Sequence, residues 1–157
     1  MRSIYLLIAF VVVLFDQLTK YWINVWMSPG ESIEVTSFFN LVYVFNPGAA
    51  FSFLSDASGW QRHFFTVVAI GVSIWIFAFL WKHPERSRFN LALSLILGGA
   101  IGNVIDRIRL GAVIDFLDMH AYGYHWPAFN VADSAITCGA VLLIWDSFFS
   151  ARKVATN

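Results

Sequence analysis

Asp115 and Asp133 are the residues of this chain best placed to do chemistry. They stand in Gly111-Ala-Val-Ile-Asp115-Phe and Trp126-Pro-Ala-Phe-Asn130-Val-Ala-Asp133, where one hydrophobic run ends and another begins. Two carboxyl groups held close cannot both ionise, so they share one proton. The ionised member can activate a water. The protonated member can polarise a carbonyl and later protonate a leaving amine. That is the logic of an aspartic peptidase, and it needs both carboxylates, a water and an amide at one depth.

The acids also have bland readings, of which that for Asp115 is the weakest. Asn130 with Asp133 three residues later has the spacing of an N-cap and an acid at the third helical position. For Asp133, capping and chemistry are equally good accounts. Asp115 is flanked by Val113, Ile114, Phe116 and Leu117 and has no helix start to cap. Asp16 and Lys20 are spaced i,i+4 and share a helix face, which favours a neutralised structural pair over catalysis. Asp106 and Arg107 could anchor a helix end at lipid headgroups, the better account of Arg109. Asp118 is read as a loop residue with no special role.

The elements that must position these residues follow from composition. Of 157 residues, 59% are hydrophobic and 13% charged, against about 25% charged in ordinary soluble domains. Mean hydropathy is +0.67. Formal net charge is zero, which gives no hint of nucleic-acid binding. Apolar stretches of span length occur at about 4–26, 64–81, 89–108 and 130–149. Crossing the roughly 30 Å hydrocarbon core takes about 20 helical residues, and runs this long without period-two alternation argue helix over barrel strand. The expected architecture is an all-α membrane protein, a single integral-membrane domain over 1–157 with four transmembrane helices. Arg2 and Ile4–Phe15 resemble the start of a signal peptide, but no small-x-small cleavage site follows, so the segment reads as a retained first span.

Arg2, Lys82, Arg86, Arg88, Arg152 and Lys153 fall on one side of these spans. The positive-inside rule makes that side cytoplasmic, with both termini. The connections 27–63 and 109–129 then face outward. The first is long for a plain loop and contains β-prone Asn40–Phe45, then Pro47-Gly48, with Phe51–Leu54 as a possible return strand. The second has no clear periodicity. Asp16, Lys20, Asn46, Asn103, Asp106, Arg107, Asp115, Asn130 and Asp133 all gather near the outer leaflet, and such convergence of costly groups is a functional-site signal. Gly98 and Gly102 form a GxxxG pair that permits close helix approach.

Other chemistries find little support. His63, His83, His120 and His125 make no HExxH motif, and no Cys/His cluster has zinc spacing. No GxSxG elbow is present. Cys138, the single cysteine, lies in an apolar run and reads as packing.

Taken together, five blocks in order resemble the lipoprotein signal peptidase family, the type II signal peptidases of bacteria. They are Asp16-Gln-Leu-Thr-Lys20, Phe45-Asn-Pro-Gly-Ala-Ala-Phe51, Gly98-Gly-Ala-Ile-Gly-Asn-Val-Ile-Asp-Arg107, Val113-Ile-Asp-Phe116 and Phe129-Asn-Val-Ala-Asp133. The resemblance covers nearly the whole chain, with no departure at a motif position. It implies an intramembrane aspartic endopeptidase of the inner membrane, with four membrane helices, a small periplasmic β-structure and a periplasmic loop or helix. By resemblance, Asp115 and Asp133 match the catalytic dyad. Asp16, Lys20, Asn46, Gly48, Asn103, Asp106, Arg107, Asn130 and Ala132 match positions that support or line the site. The implied substrates are prolipoproteins, cut before a diacylglyceryl-modified cysteine. No metal or other cofactor is implied, and globomycin-type cyclic peptides are the implied inhibitors.

A small ion- or proton-translocating protein is the competing class, since intramembrane charges also mark conduction paths. A path should place charge across the full depth, whereas the second span carries none and, apart from Asp146 near the end of the fourth, the cytoplasmic halves of the others are clean. A non-enzymatic scaffold built on the GxxxG face would leave the convergence of carboxylates unexplained.

Overall fold

The computed structural model describes residues 2–48, 60–85 and 87–155. Its elements run α1 (Arg2–Trp26), β1 (Ser32–Thr36), β2 (Phe39–Asn46), α2 (Trp60–Lys82), α3 (Ser87–Leu110), β3 (Val113–Ala121), β4 (Tyr124–His125) and α4 (Val131–Ala155). All four helices are long and apolar enough to cross a membrane. Within α1 there is neither Gly nor Pro, and Pro29-Gly30 turns the chain after it. Gly30 takes φ +86°, a left-handed conformation that glycine adopts without steric cost. Pro84 stands between α2 and α3, where a helix could not continue without losing a backbone donor.

α3 is the central helix and packs against α1, α2 and α4. Its small residues make this possible. A Cβ on Gly98 would sit 2.7 Å from the Ala9 carbonyl oxygen and 2.6 Å from Val12 Cβ on α1. One on Gly99 would collide with the Ala132 carbonyl oxygen on α4. The expected GxxxG pair is thus half of the device: Gly98 and Gly102 meet α1, and the intervening Gly99 admits α4. α2 and α4 lie on different flanks of α3 and barely touch each other among the described residues.

The connection expected to be irregular, 109–129, instead holds the longest strand among the described residues. β3 pairs antiparallel with β2, and the sheet order is β1-β2-β3-β4. Periodicity concealed it because Val113, Ile114, Asp115 and Phe116 are all buried, so both faces are covered and the polar-out alternation of a half-buried strand is missing. The proposed return strand at Phe51–Leu54 lies outside the described residues; the partners of β2 are β1 and β3. Ile114 and Phe116 pack with Tyr43, Ile23 and Met27, riveting the sheet to the end of α1. Burying side chains of this size contributes about 1.5–3 kcal/mol each. The other core cluster, around Tyr5, Ile76, Leu80 and Leu97, lies toward the opposite end of the bundle.

Candidate active site

α1, α2, α3 and α4 all have one end at the sheet, and the polar residues collect there. The foundation is Lys20, only 2% exposed. Its Nζ lies 2.8 Å from Asp16 Oδ2 and 2.8 Å from Asp106 Oδ2. A buried ammonium is costly unless its hydrogen-bonding capacity is filled; here the third donor goes to Asn103 Oδ1 at 3.0 Å. Asp16 spends its other oxygen on the backbone N–H of Ala132, 2.9 Å away, which tethers the start of α4 to α1. Ala132 must be small, since it is fully buried and faces Gly102. Asp106 also accepts the backbone N–H of Ile114 at 3.2 Å, tying β3 to α3. Gln17, not singled out from sequence, donates to Asp106 Oδ1 at 2.9 Å and Asp16 Oδ2 at 3.2 Å. Its adjacency to Asp16, one residue further round the helix, was the available signal.

Asn103 carries this order outward. Its Oδ1 accepts from Lys20 and from Asn130 Nδ2 at 3.3 Å, which leaves its own Nδ2 to donate to Asp133 Oδ1 at 2.7 Å. Asn130 caps α4: its Oδ1 accepts the backbone N–H of Asp133 at 2.9 Å. The capping expectation holds for Asn130. Asp133, however, turns its carboxylate to Asn103, so it is not spent on the reciprocal half of a capping box. The Asn130 Nδ2 also donates to Asp115 Oδ1 at 2.7 Å. Asn103 and Asn130 therefore bridge the two acids from behind.

The second oxygen of Asp115 accepts from Asn46 Nδ2 at 2.9 Å. A β-bulge makes this contact possible. β2 and β3 pair as Leu41↔Leu117 before it and as Val44↔Asp115, Phe45↔Ile114 and Asn46↔Val113 after it, so β2 carries one extra residue. Without that residue Asn46 would sit opposite position 112, on the face away from Asp115. Side chains alternate with period two, and a one-residue slip exchanges the faces. Asn46 also accepts the N–H of Gly48 at 2.9 Å. Gly48 takes φ +109°, and a Cβ there would stand 2.9 Å from the ring of Phe65 on α2.

A cavity of about 670 Å³ opens in front of this array. Asn46, Arg107, Trp126, Asp133 and Thr137 contribute to its wall, and Phe65 and Cys138 border it. Asp133 faces the cavity directly, while Asp115 is 2% exposed and lies behind it. Burial pushes the Asp115 carboxyl up to about 7, with the charge of Asp133 adding to the rise and the amides of Asn46 and Asn130 opposing it. It is thus held near the point where it can keep or release a proton at neutral pH. Arg107 faces the charges of Asp133, Asp115 and Asp106, and its buried Nε–H has no hydrogen-bond partner among the described residues.

The structure brings together Asp16, Lys20, Asn46, Gly48, Asn103, Asp106, Arg107, Asp115, Asn130, Ala132 and Asp133. Asp106 and Arg107 are not headgroup anchors: the first is buried against Lys20 and the second lines the cavity. Asp118 is not a loop residue either; it lies on β3, 7% exposed, held by Asn40 at 2.8 Å and His125 at 2.9 Å. His120 and His125 belong to that separate outer group.

Fold and site define a class: a four-span membrane protein whose one-sided cluster of bridged carboxylates opens on a cavity large enough for a peptide segment. Comparison with known proteins makes the assignment specific. Residues 8–149 match the sequence model of the family described as Signal peptidase (SPase) II. The lipoprotein signal peptidase of Janthinobacterium sp. (strain Marseille) is 62% identical over 88% of this chain and 84% of its own. That of Burkholderia vietnamiensis is 57% identical over 92% of this chain and 87% of its own. Two solved structures, each described as a bacterial membrane enzyme obtained by the in meso method, are similar throughout. One has TM-score 0.83 and 38% identity, covering 95% of this chain and 90% of that one. The other has TM-score 0.78 and 40% identity, covering 90% of both chains. The chain belongs to the signal peptidase II family: it is a membrane protease of the lipoprotein signal peptidases, which process the signal peptides of prolipoproteins.

Proposed function

We propose that Asp115 and Asp133 are the catalytic pair of an aspartic endopeptidase that cuts prolipoproteins before a diacylglyceryl-modified cysteine. The observation that carries this reading is the bridged pair itself. Two acids from different elements are fixed by the Asn103–Asn130 bridge, one facing a cavity and one behind it.

With one proton on the pair, the ionised carboxylate takes a proton from a water as the water oxygen bonds to the scissile carbonyl carbon. The protonated carboxyl gives its proton to the carbonyl oxygen, forming a neutral gem-diol. The newly protonated carboxyl then delivers its proton to the amide nitrogen, the C–N bond breaks, and the second carboxylate takes back a hydroxyl proton from the diol. The products are a carboxylic acid and the free amine of the modified cysteine. The unpartnered Nε–H of Arg107 suits a substrate carbonyl. The gap between α2 and α4, bordered by Phe65 and Thr137, suits a signal-peptide helix arriving from the side while its acyl chains stay in lipid.

Cytoplasmic termini put the sheet and the acids at the outer leaflet of the inner membrane. The decisive assay is cleavage of a lipid-modified prolipoprotein by purified protein. Asp115→Asn and Asp133→Asn are each expected to lower kcat by about 10³-fold or more, the order that loss of a general acid–base group brings. Full activity in either variant removes the dyad. Globomycin is expected to inhibit, and a chelator is expected to leave the rate unchanged.

A further inference from the structure

The outer histidine group borders a second cavity, of about 420 Å³, beside the β3–β4 hairpin. Trp126 is common to its wall and to that of the larger cavity holding Asp133, so the two adjoin. We propose that this groove binds the extended peptide that follows the scissile bond, just beyond the modified cysteine, and so lowers KM for substrates with a longer mature segment. The proposal rests on the peptidase reading above.

The construction of the groove supports a peptide occupant. Its floor is braced more than a surface hairpin requires. His125 Nδ1 lies 2.9 Å from both oxygens of Asp118, Asn40 Nδ2 donates to Asp118 at 2.8 Å, and Asn40 Oδ1 meets His120 Nε2 at 3.2 Å. The two imidazoles stack with centroids 4.9 Å apart. Such bracing holds a surface ready for a ligand, which reduces the ordering cost on binding. Tyr124, 84% exposed, adds an apolar wall with a polar tip. β4 is the last strand of the sheet, and an edge strand offers backbone groups to an extended chain. Direction agrees as well. The signal-peptide side of the substrate occupies the gap between helices, so the chain beyond the cut leaves toward the sheet, across Trp126. Asp118 and His125 form an ion pair whenever His125 is protonated, and such a pair suits a hydrated peptide backbone better than lipid tails.

The test uses a series of diacylglyceryl-modified substrates identical up to the cysteine but carrying two, four, six or eight residues after it. For the wild-type enzyme, KM is expected to fall about fivefold between two and six residues and then level off, an amount set by a few weak contacts. Tyr124→Ser and His120→Gln should flatten that dependence while leaving kcat and the KM of the shortest substrate unchanged. A wild-type KM independent of length overturns the proposal. So does an equal rise in KM for short and long substrates in both variants, which would mark the hairpin as resting on lipid. Absence of cleavage for every substrate would strike the proposed reaction and this inference with it, whereas cleavage without length dependence strikes the groove alone.

Discussion

Asp115 and Asp118 lie three residues apart on one strand, and each carboxylate takes hydrogen bonds on both sides, yet the surroundings drive them in opposite directions. Burial pushes Asp115 up to about 7. Burial also pushes on Asp118, but the hydrogen bonds from His125 and Asn40 and the charge of His125 outweigh it and hold that carboxyl below its usual range. The count of hydrogen bonds does not distinguish them. Asp115 is served by two neutral amides and faces another acid, whereas Asp118 is served by an amide and an imidazole that can carry charge. Its cover is also thin, since the His125 side chain is 55% exposed. A donor that brings charge, and water close behind it, decides ionisation more than a donor that brings geometry alone.

The sharpest way to break this comparison is to neutralise each acid and measure cleavage. Asp115→Asn is expected to cost about 10³-fold or more in kcat, within the roughly 10²–10⁴ span of a general acid–base group. Asp118→Asn gives up one of two accepted hydrogen bonds but lies apart from the reacting pair, and should stay within about threefold, below 1 kcal/mol of barrier. Comparable losses in the two variants would abolish the distinction between a reacting acid and a bracing acid.

A second contrast removes the cation from each network. Lys20→Met leaves Asp16 and Asp106 buried without their counter-charge, and stripping one side of a buried ion pair costs about 3–5 kcal/mol. The double variant Lys20→Met with Asp106→Asn should recover part of that loss. His125→Gln removes a half-exposed partner, for which about 0.2–1 kcal/mol is usual. Thermal denaturation in one detergent, with all variants compared at one pH, measures both.

How much of this was legible follows the same divide. The helices were, because runs such as Ile4–Phe15 leave few alternatives and helix ends carry Pro29-Gly30, Pro84 and the Asn130 cap. The polar cluster was legible as residue types at one depth, since each charge in a span is expensive. Strand β3 was not, because covering both faces erases alternation and its partner β2 lies about 70 residues earlier, a separation no local pattern reports. The bulge in β2 was hidden for the same reason: it exists only relative to β3, yet it decides whether Asn46 reaches Asp115. Asp118 was misread because its neighbours in sequence, Leu117 and Met119, say nothing of Asn40 across the sheet.

The pH dependence of stability separates the two acids further. The folded value for Asp115 lies above the ordinary 3.8. Between about 4 and 7 the unfolded chain has released this proton while the folded protein keeps it, so stability falls as pH rises through that window and is flat above it. Asp115→Asn removes the slope. The variant should gain on wild type as pH rises from 4 to 8, by an amount bounded at about 4 kcal/mol for a shift of this size. An amide also sets its NH₂ against a donor from Asn46 or Asn130, a fixed penalty of about 1 kcal/mol at every pH. The quantity to measure is therefore the change of the difference with pH. A difference constant from pH 4 to 8 would mean that Asp115 ionises as freely in the fold as outside it.

Asp118 should give the smallest signal and the opposite sign. Its folded value lies below 3.8, so its contribution is complete above the unfolded value and is lost as pH falls through the folded one. Across pH 5–8 its own titration adds no slope. Below about pH 4 wild type should lose stability that Asp118→Asn does not, by about 0.2–1 kcal/mol, the scale of a half-exposed pair. In the unfolded chain Asp115 also titrates near 3.8, so its slope overlaps this window and has to be removed. Melting temperatures taken in small steps from pH 5 down to 2.5, with Asp115→Asn as the background for both chains, isolate the effect. If the Asp118→Asn chain lost stability on acidification as fast as its parent, the His125 and Asn40 contacts would be ornaments of the fold rather than what keeps Asp118 charged.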